Sequence, residues 1–89
     1  MDWTLVQIST PSCGPCNSAK KAFEQGFFLP YKYIDATKQD IEKYKAVETV
    51  RRVPHFFLER GDEVISLHVG YPQKENIEKL ARQSIESKD

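Results

Sequence analysis

Two cysteines stand three positions apart in the run Cys13-Gly14-Pro15-Cys16, and the chain of 89 residues contains no others. A thiolate is both a nucleophile and a metal ligand, so such a pair supports two chemistries. As a dithiol, one sulfur attacks a disulfide to give a mixed disulfide and the second sulfur resolves it. As ligands, the pair forms half of a tetrahedral zinc site, and His55 and His68 would have to complete it from positions that follow no recognisable ligand spacing. A structural staple fits less well, because a bridge over so short a loop removes little entropy from the unfolded chain. In a reducing compartment so close a pair is catalytic or metal-binding rather than structural. Gly and Pro lie between the sulfurs instead of core residues, which argues against an inert, buried pair.

Dithiol chemistry requires one sulfur at a place that stabilises negative charge, and the flanking sequence provides a helix start. Residues 5–8 are mostly apolar and read as a buried central strand, and residues 9–12, with Pro11, read as a loop. A helix is expected over 14–25, with Ala19, Ala22 and Phe23 at helical spacing and Gly26 as its stop. Cys13 then lies at the helix mouth, where free N–H groups and the helix dipole favour an anion. Cys16 lies one turn further in and is expected to be more buried. Pro15 suits the first turn, where its missing N–H costs nothing, and Gly14 leaves room for a partner backbone.

Further along, residues 31–34 read as a second strand. Thr37 and Asp40 form a weak capping box before a helix over 39–48, with Ile41, Tyr44 and Val47 as its buried stripe. Residues 55–59 and 63–69 read as a hairpin turned at Arg60-Gly61-Asp62. Gly70-Tyr71-Pro72 makes another turn before a last helix over 73–84 that buries Ile77, Leu80 and Ala81. The order β-α-β-α-β-β-α predicts an α/β fold: a four-stranded mixed sheet, helices on both faces, and a right-handed parallel crossover between the first two strands. Gln7 is expected as a hydrogen-bonded buried amide, Trp3 as partial core or edge cover, and Phe23, Phe27, Phe28, Phe56 and Phe57 as core. Strand alternation turns His55 away from the sulfurs, so it receives no catalytic role.

Bulk properties narrow the function classes. The length allows one domain, 1–89, burying roughly 60% of the surface its unfolded chain exposes. Thirteen basic and thirteen acidic side chains cancel, so no basic excess points to nucleic acid and no acidic run to disorder. No segment approaches the ~20 apolar residues of a membrane span, and Met1-Asp2-Trp3-Thr4 lacks the features of a signal peptide. The expectation is a cytoplasmic monomer with neither nucleic acid nor membrane as partner.

Cys13-Gly14-Pro15-Cys16 with Val53-Pro54 downstream resembles the thioredoxin and glutaredoxin superfamily, and the likeness extends to Ile34-Asp35, Gly61 and Gly70. The resemblance implies a thioredoxin-like fold and a thiol–disulfide oxidoreductase in which Cys13 attacks and Cys16 resolves. It implies that Gly14, Pro15 and a cis Pro54 tune the dithiol, while Val53, Gly70 and Tyr71 receive substrate. It also implies that no cofactor or metal is bound: electrons come from NADPH through a thioredoxin-reductase-type flavoprotein, or from glutathione, and pass to disulfide-containing proteins such as ribonucleotide reductase. The departures matter as well. Ser12 replaces the tryptophan that precedes the first cysteine in thioredoxins, and Gln7 and Tyr31 stand where those proteins carry a buried Asp and a nearby Lys. The chain lacks the extra N-terminal strand and helix of full thioredoxins, and the Gly-Gly turn of glutathione users is replaced by Gly70-Tyr71-Pro72. The closest likeness is to the glutaredoxin-sized redoxins with a thioredoxin-type motif, including those of viruses. Arg51 and Arg52 read either as a solvated face or as partners for a carboxylate on glutathione or an acidic peptide. A redox-independent binding subunit using the same surface is the alternative function.

Overall fold

The computed structural model describes residues 2–88. Its elements are β1 (Thr4–Ser9), α1 (Gly14–Glu24), β2 (Tyr31–Asp35), α2 (Glu42–Lys45), β3 (His55–Arg60), β4 (Glu63–Val69) and α3 (Lys74–Lys88). The strands form one sheet in the order β2-β1-β3-β4. β1 pairs in parallel with β2, Leu5 opposite Tyr31, and antiparallel with β3, Leu5 opposite Leu58. The expected order and mixed pairing are therefore present.

β1 is almost continuously buried because it is central and covered on both faces. Its side chains alternate between two cores, as the two-residue period of a strand requires. Leu5 joins Trp3, Ala19, Phe23, Phe56, Leu58, Ile77 and Ala81 under α1 and α3, while Val6 and Ile8 join Ile34, Tyr44 and Phe57 under α2. Gln7 falls on the α1 side by the same alternation. Phe23 anchors the larger core, with ring centroids 5.5 Å from Phe56 and 5.1 Å from Phe27.

Five expectations are corrected. The second helix is one turn, Glu42–Lys45, instead of spanning 39–48. The carboxylate of Asp35 accepts both the N–H (2.9 Å) and the hydroxyl (2.6 Å) of Thr37, and Asp40 accepts the Glu42 N–H at 2.9 Å. These local bonds compete with helix formation, so no capping box forms between Thr37 and Asp40, and Ile41 is an N-cap without a side-chain bond. Val47, beyond the shortened helix, is 47% exposed, which leaves Tyr44 as the buried anchor with Ile41 partly covered. Phe28 is also exposed, with the Arg82 guanidinium stacked 4.0 Å from its ring centroid. In the other direction, α3 continues to Lys88, because no breaker follows Ser84 and Ile85 still packs on the core.

The hairpin turns at Gly61, whose φ of +60° suits a residue without Cβ. A bulge lies further along it: Phe56 faces His68 but Phe57 faces Ser66. The extra residue, Leu67, shifts the alternation and ends the strand with Val69 and Gly70 beside the start of β3. Among the described residues, no helix is long and apolar enough to cross a membrane.

Phe56 is fully buried between α1 and the sheet, so Phe56→Ala should cost about 3–5 kcal/mol, a large share of the ~5–15 kcal/mol of a whole domain. Urea unfolding will measure it, and a loss below about 1 kcal/mol would contradict this packing.

Candidate functional site

The site forms where the central strand ends and the first helix begins. After β1 the chain turns, with the Cys13 N–H donating to the Thr10 carbonyl at 3.3 Å. Cys13 then adopts an extended conformation as the N-cap of α1. Its sulfur accepts the Cys16 N–H at 3.1 Å, and its carbonyl accepts the Asn17 N–H at 3.2 Å. Pro15 occupies the first turn and contributes no unpaired donor. One free N–H of the helix start is thus aimed at the Cys13 sulfur, an arrangement that favours a thiolate.

Cys13 and Cys16 are joined by a disulfide, with Cα atoms 5.2 Å apart. The two sulfurs differ in access: Cys13 is partly exposed, and Cys16 is completely buried. Gly14 and Pro15 are exposed above them, and a Cβ added at Gly14 would meet nothing within 4 Å.

The loop before β3 closes the other side. The Val53-Pro54 peptide bond is cis, and the Val53 carbonyl oxygen lies 3.9 Å from the Cys13 sulfur. Pro54 is buried, and its carbonyl accepts the Gly70 N–H at 2.8 Å. Gly70 has a φ of +98°, a conformation that disfavours any side chain. The bulged end of β4 is thereby tied to the proline loop, and Tyr71 follows it on the surface, 62% exposed. The fold therefore gathers Cys13, Cys16, Val53, Pro54 and Gly70 from three separate stretches of sequence.

Beneath the dithiol lies a buried polar chain. Gln7 donates through Nε2 to the Cys16 carbonyl and to the Ser9 hydroxyl, both at 2.9 Å, and its Oε1 accepts the Tyr31 hydroxyl at 2.6 Å. Gln7 and Tyr31, two of the departures noted in the sequence, are thus bonded to each other. Burial, reinforced by Glu24, pushes the Tyr31 hydroxyl far above its ordinary value, so it remains a neutral donor. An amide and a neutral phenol take up no proton near neutral pH, so this network fixes the Cys16 backbone without providing a base. Ser9, expected as the first residue of a loop, is instead the last residue of β1, and its two-residue spacing from Gln7 places both on one face of the strand.

The zinc alternative is not assembled. His55 stacks on Phe57 at 4.2 Å and shares a hydrogen bond with the Ser66 hydroxyl at 2.9 Å, on the α2 side of the sheet. His68 lies near Phe56 on the opposite side. Among the described residues, no three His, Cys, Asp or Glu side chains converge as a metal site.

No protein-family model matches the sequence, and a search of curated proteins finds no match. Solved structures do match. The J-Trx1 fragment of ERdj5 is 20% identical with a TM-score of 0.64; the match covers 97% of this chain and 43% of that one. Plasmodium falciparum thioredoxin is 18% identical with a TM-score of 0.57, covering 93% of this chain and 70% of that one. The germline-specific thioredoxin Deadhead of Drosophila melanogaster is 17% identical with a TM-score of 0.57, covering 96% and 80% respectively. This chain thus spans less than half the length of the first of these structures. The likenesses establish a thioredoxin-like fold.

Two measurements follow from the site. After reduction, limiting iodoacetamide should label Cys13 at least about tenfold faster than Cys16, because thiolate character and access both favour Cys13; equal labelling by mass spectrometry would refute the assigned asymmetry. His55 titrates below its ordinary value, because burial disfavours its charged form more strongly than Glu48 favours it. As pH falls through about 6.5, the unfolded chain takes up this proton before the folded one does, so stability falls with pH from about 7.5 towards 5. Unfolding midpoints across that window should decline less in His55→Gln than in the wild type, and parallel profiles would show that His55 does not contribute.

Proposed function

We propose that the chain is a thiol–disulfide oxidoreductase that reduces protein disulfides. The carrying observation is the pair of unlike sulfurs, one accessible at a helix start and the other buried within bonding distance of it. Starting from the dithiol, the Cys13 thiolate attacks one sulfur of a substrate disulfide. The substrate bond breaks, a mixed disulfide forms, and the expelled substrate thiolate takes a proton. Cys16, on losing its proton, attacks the Cys13 sulfur and displaces the second substrate thiolate, which is protonated in turn. Two electrons pass to the substrate, and the Cys13–Cys16 disulfide remains.

The surrounding residues take supporting roles in this reading. Gly14 and Pro15 keep the surface over the sulfurs low, and Pro54 seals their flank without an N–H of its own. Val53 lies just before β3 and outside its ladder, so its backbone can hold an extended substrate segment as a short added strand. Gly70 and Tyr71 border that segment, and the exposure of Tyr71 suits an aromatic docking contact. Nothing in the steps requires a bound cofactor. Electrons return from NADPH through a thioredoxin-reductase-type flavoprotein, or from glutathione. Ribonucleotide reductase is one candidate acceptor, and the likeness to the Plasmodium falciparum and Drosophila melanogaster thioredoxins supports the general class.

Insulin reduction with dithiothreitol as the electron source tests the reading. Wild type should accelerate precipitation of the reduced chains, Cys13→Ser should abolish the acceleration, and Cys16→Ser should accumulate a mixed disulfide visible by mass spectrometry. Equal rates for wild type and Cys13→Ser would sink the enzymatic proposal and favour a binding role. Recycling rates with a thioredoxin reductase and with glutathione plus its reductase will identify the reductant.

A further inference from the structure

Beside the proline loop lies a cleft of about 220 Å³ that neither the dithiol nor its buried amide explains. Glu48, Thr49, Arg51, Arg52, His55 and Val69 line it. Arg60 and Arg82 are paired with Glu63 and Glu78. Arg51 and Arg52 are exposed and have no ion pair among the described residues. The His55 ring forms a buried wall, kept neutral by that burial, with Nε2 lying 3.8 Å from the Glu48 carboxylate. Two guanidiniums against one carboxylate leave the cleft a surplus of positive charge. The exposed Val69 adds an apolar edge.

The position of this charge gives it significance. Arg51 and Arg52 immediately precede Val53, whose carbonyl lies 3.9 Å from the Cys13 sulfur. At most roughly 7 Å of chain separates Val53 from Arg51. A substrate segment lying along Val53 would therefore carry the neighbours of its own cysteine past both guanidiniums. The volume is below the roughly 300–1,000 Å³ of pockets for drug-sized ligands, which suits a side chain better than a whole small molecule.

We infer that this cleft is a specificity subsite that selects disulfide substrates with Asp or Glu close in sequence to the reacting cysteine. The inference rests on the oxidoreductase reading and adds a substrate class to it. The arginines hold the acidic side chain by charge-assisted hydrogen bonds, and Glu48 opposes them, limiting how tightly the reduced product peptide is retained. The chemistry at the sulfurs is unchanged; the cleft alters how readily the mixed disulfide forms.

The test uses the pre-reduced full chain in single turnovers with three disulfide-bridged peptides, identical except for Glu, Ser or Lys on either side of the cysteines. The Glu peptide should react about threefold or more faster than the Lys peptide at low salt, as expected for two exposed pairs, and the ratio should shrink in about 0.5 M salt. Arg51→Glu and Arg52→Glu should each lower or invert the ratio, and Glu48→Gln should raise it. Lys79→Glu makes the same charge change on α3, across the sheet, and should leave the ratio unaltered. Equal rates for the Glu and Lys peptides in the wild type would overturn the inference, as would an equal loss of preference in Lys79→Glu. So would an arginine dependence seen with glutathione disulfide but with none of the peptides. If no disulfide is reduced, the oxidoreductase reading itself fails.

Discussion

The amide N–H groups at the start of α1 have no carbonyl partners within the helix, and the sulfur of Cys13 receives one of them. Most of the site follows from that constraint. For the sulfur to act as the cap, Cys13 must be extended and the chain must turn immediately after β1, and Cys16 must then fall on the buried side one helical turn later. The asymmetry between an accessible sulfur and a protected one is therefore a consequence of helix capping. It needs no additional machinery.

That arrangement depends on the sheet below. Gln7 reaches from β1 to the Cys16 carbonyl and is itself held by Tyr31 on β2 and Ser9 at the end of β1. Three elements are locked by one side chain whose two donor hydrogens and acceptor oxygen are all engaged, as a buried amide requires. The cost is chemical. A carboxylate at this place could receive a proton from a resolving thiol, whereas this amide cannot, so in the proposed cycle the Cys16 proton has to leave through solvent or the departing substrate thiolate. The chain has a rigid support under its dithiol where a proton acceptor could have stood.

The second half of the site comes from β3 and β4. The Gly70 to Pro54 hydrogen bond ties the hairpin end to the proline loop, and the bulge at Phe56 and Phe57 sets which residues reach that end. Alternation along β3 places His55, adjacent in sequence to Pro54, on the face of Phe57 and the α2 core and not towards the sulfurs. The proline loop thus separates two environments, the dithiol on one side and the arginine-lined cleft on the other.

By itself the sequence determined the parts that depend on local pattern. The close Cys13–Cys16 spacing, the helix start at Gly14, the strand periods and the hairpin at Gly61 are short-range properties, legible because each follows from neighbouring residues. The long second helix was misread because Asp35, Thr37 and Asp40 offer the backbone local bonds that outcompete a helical turn. Phe28 was misplaced because composition alone cannot say which aromatic lies at an edge. The tertiary structure decided everything that joins distant segments: the Val53 carbonyl against the Cys13 sulfur, the Gln7–Tyr31 pairing and the cleft between Glu48 and Val69. Such contacts depend on strand register and sheet order, where a shift of one residue would turn each side chain to the opposite face, and no single stretch of sequence carries that information.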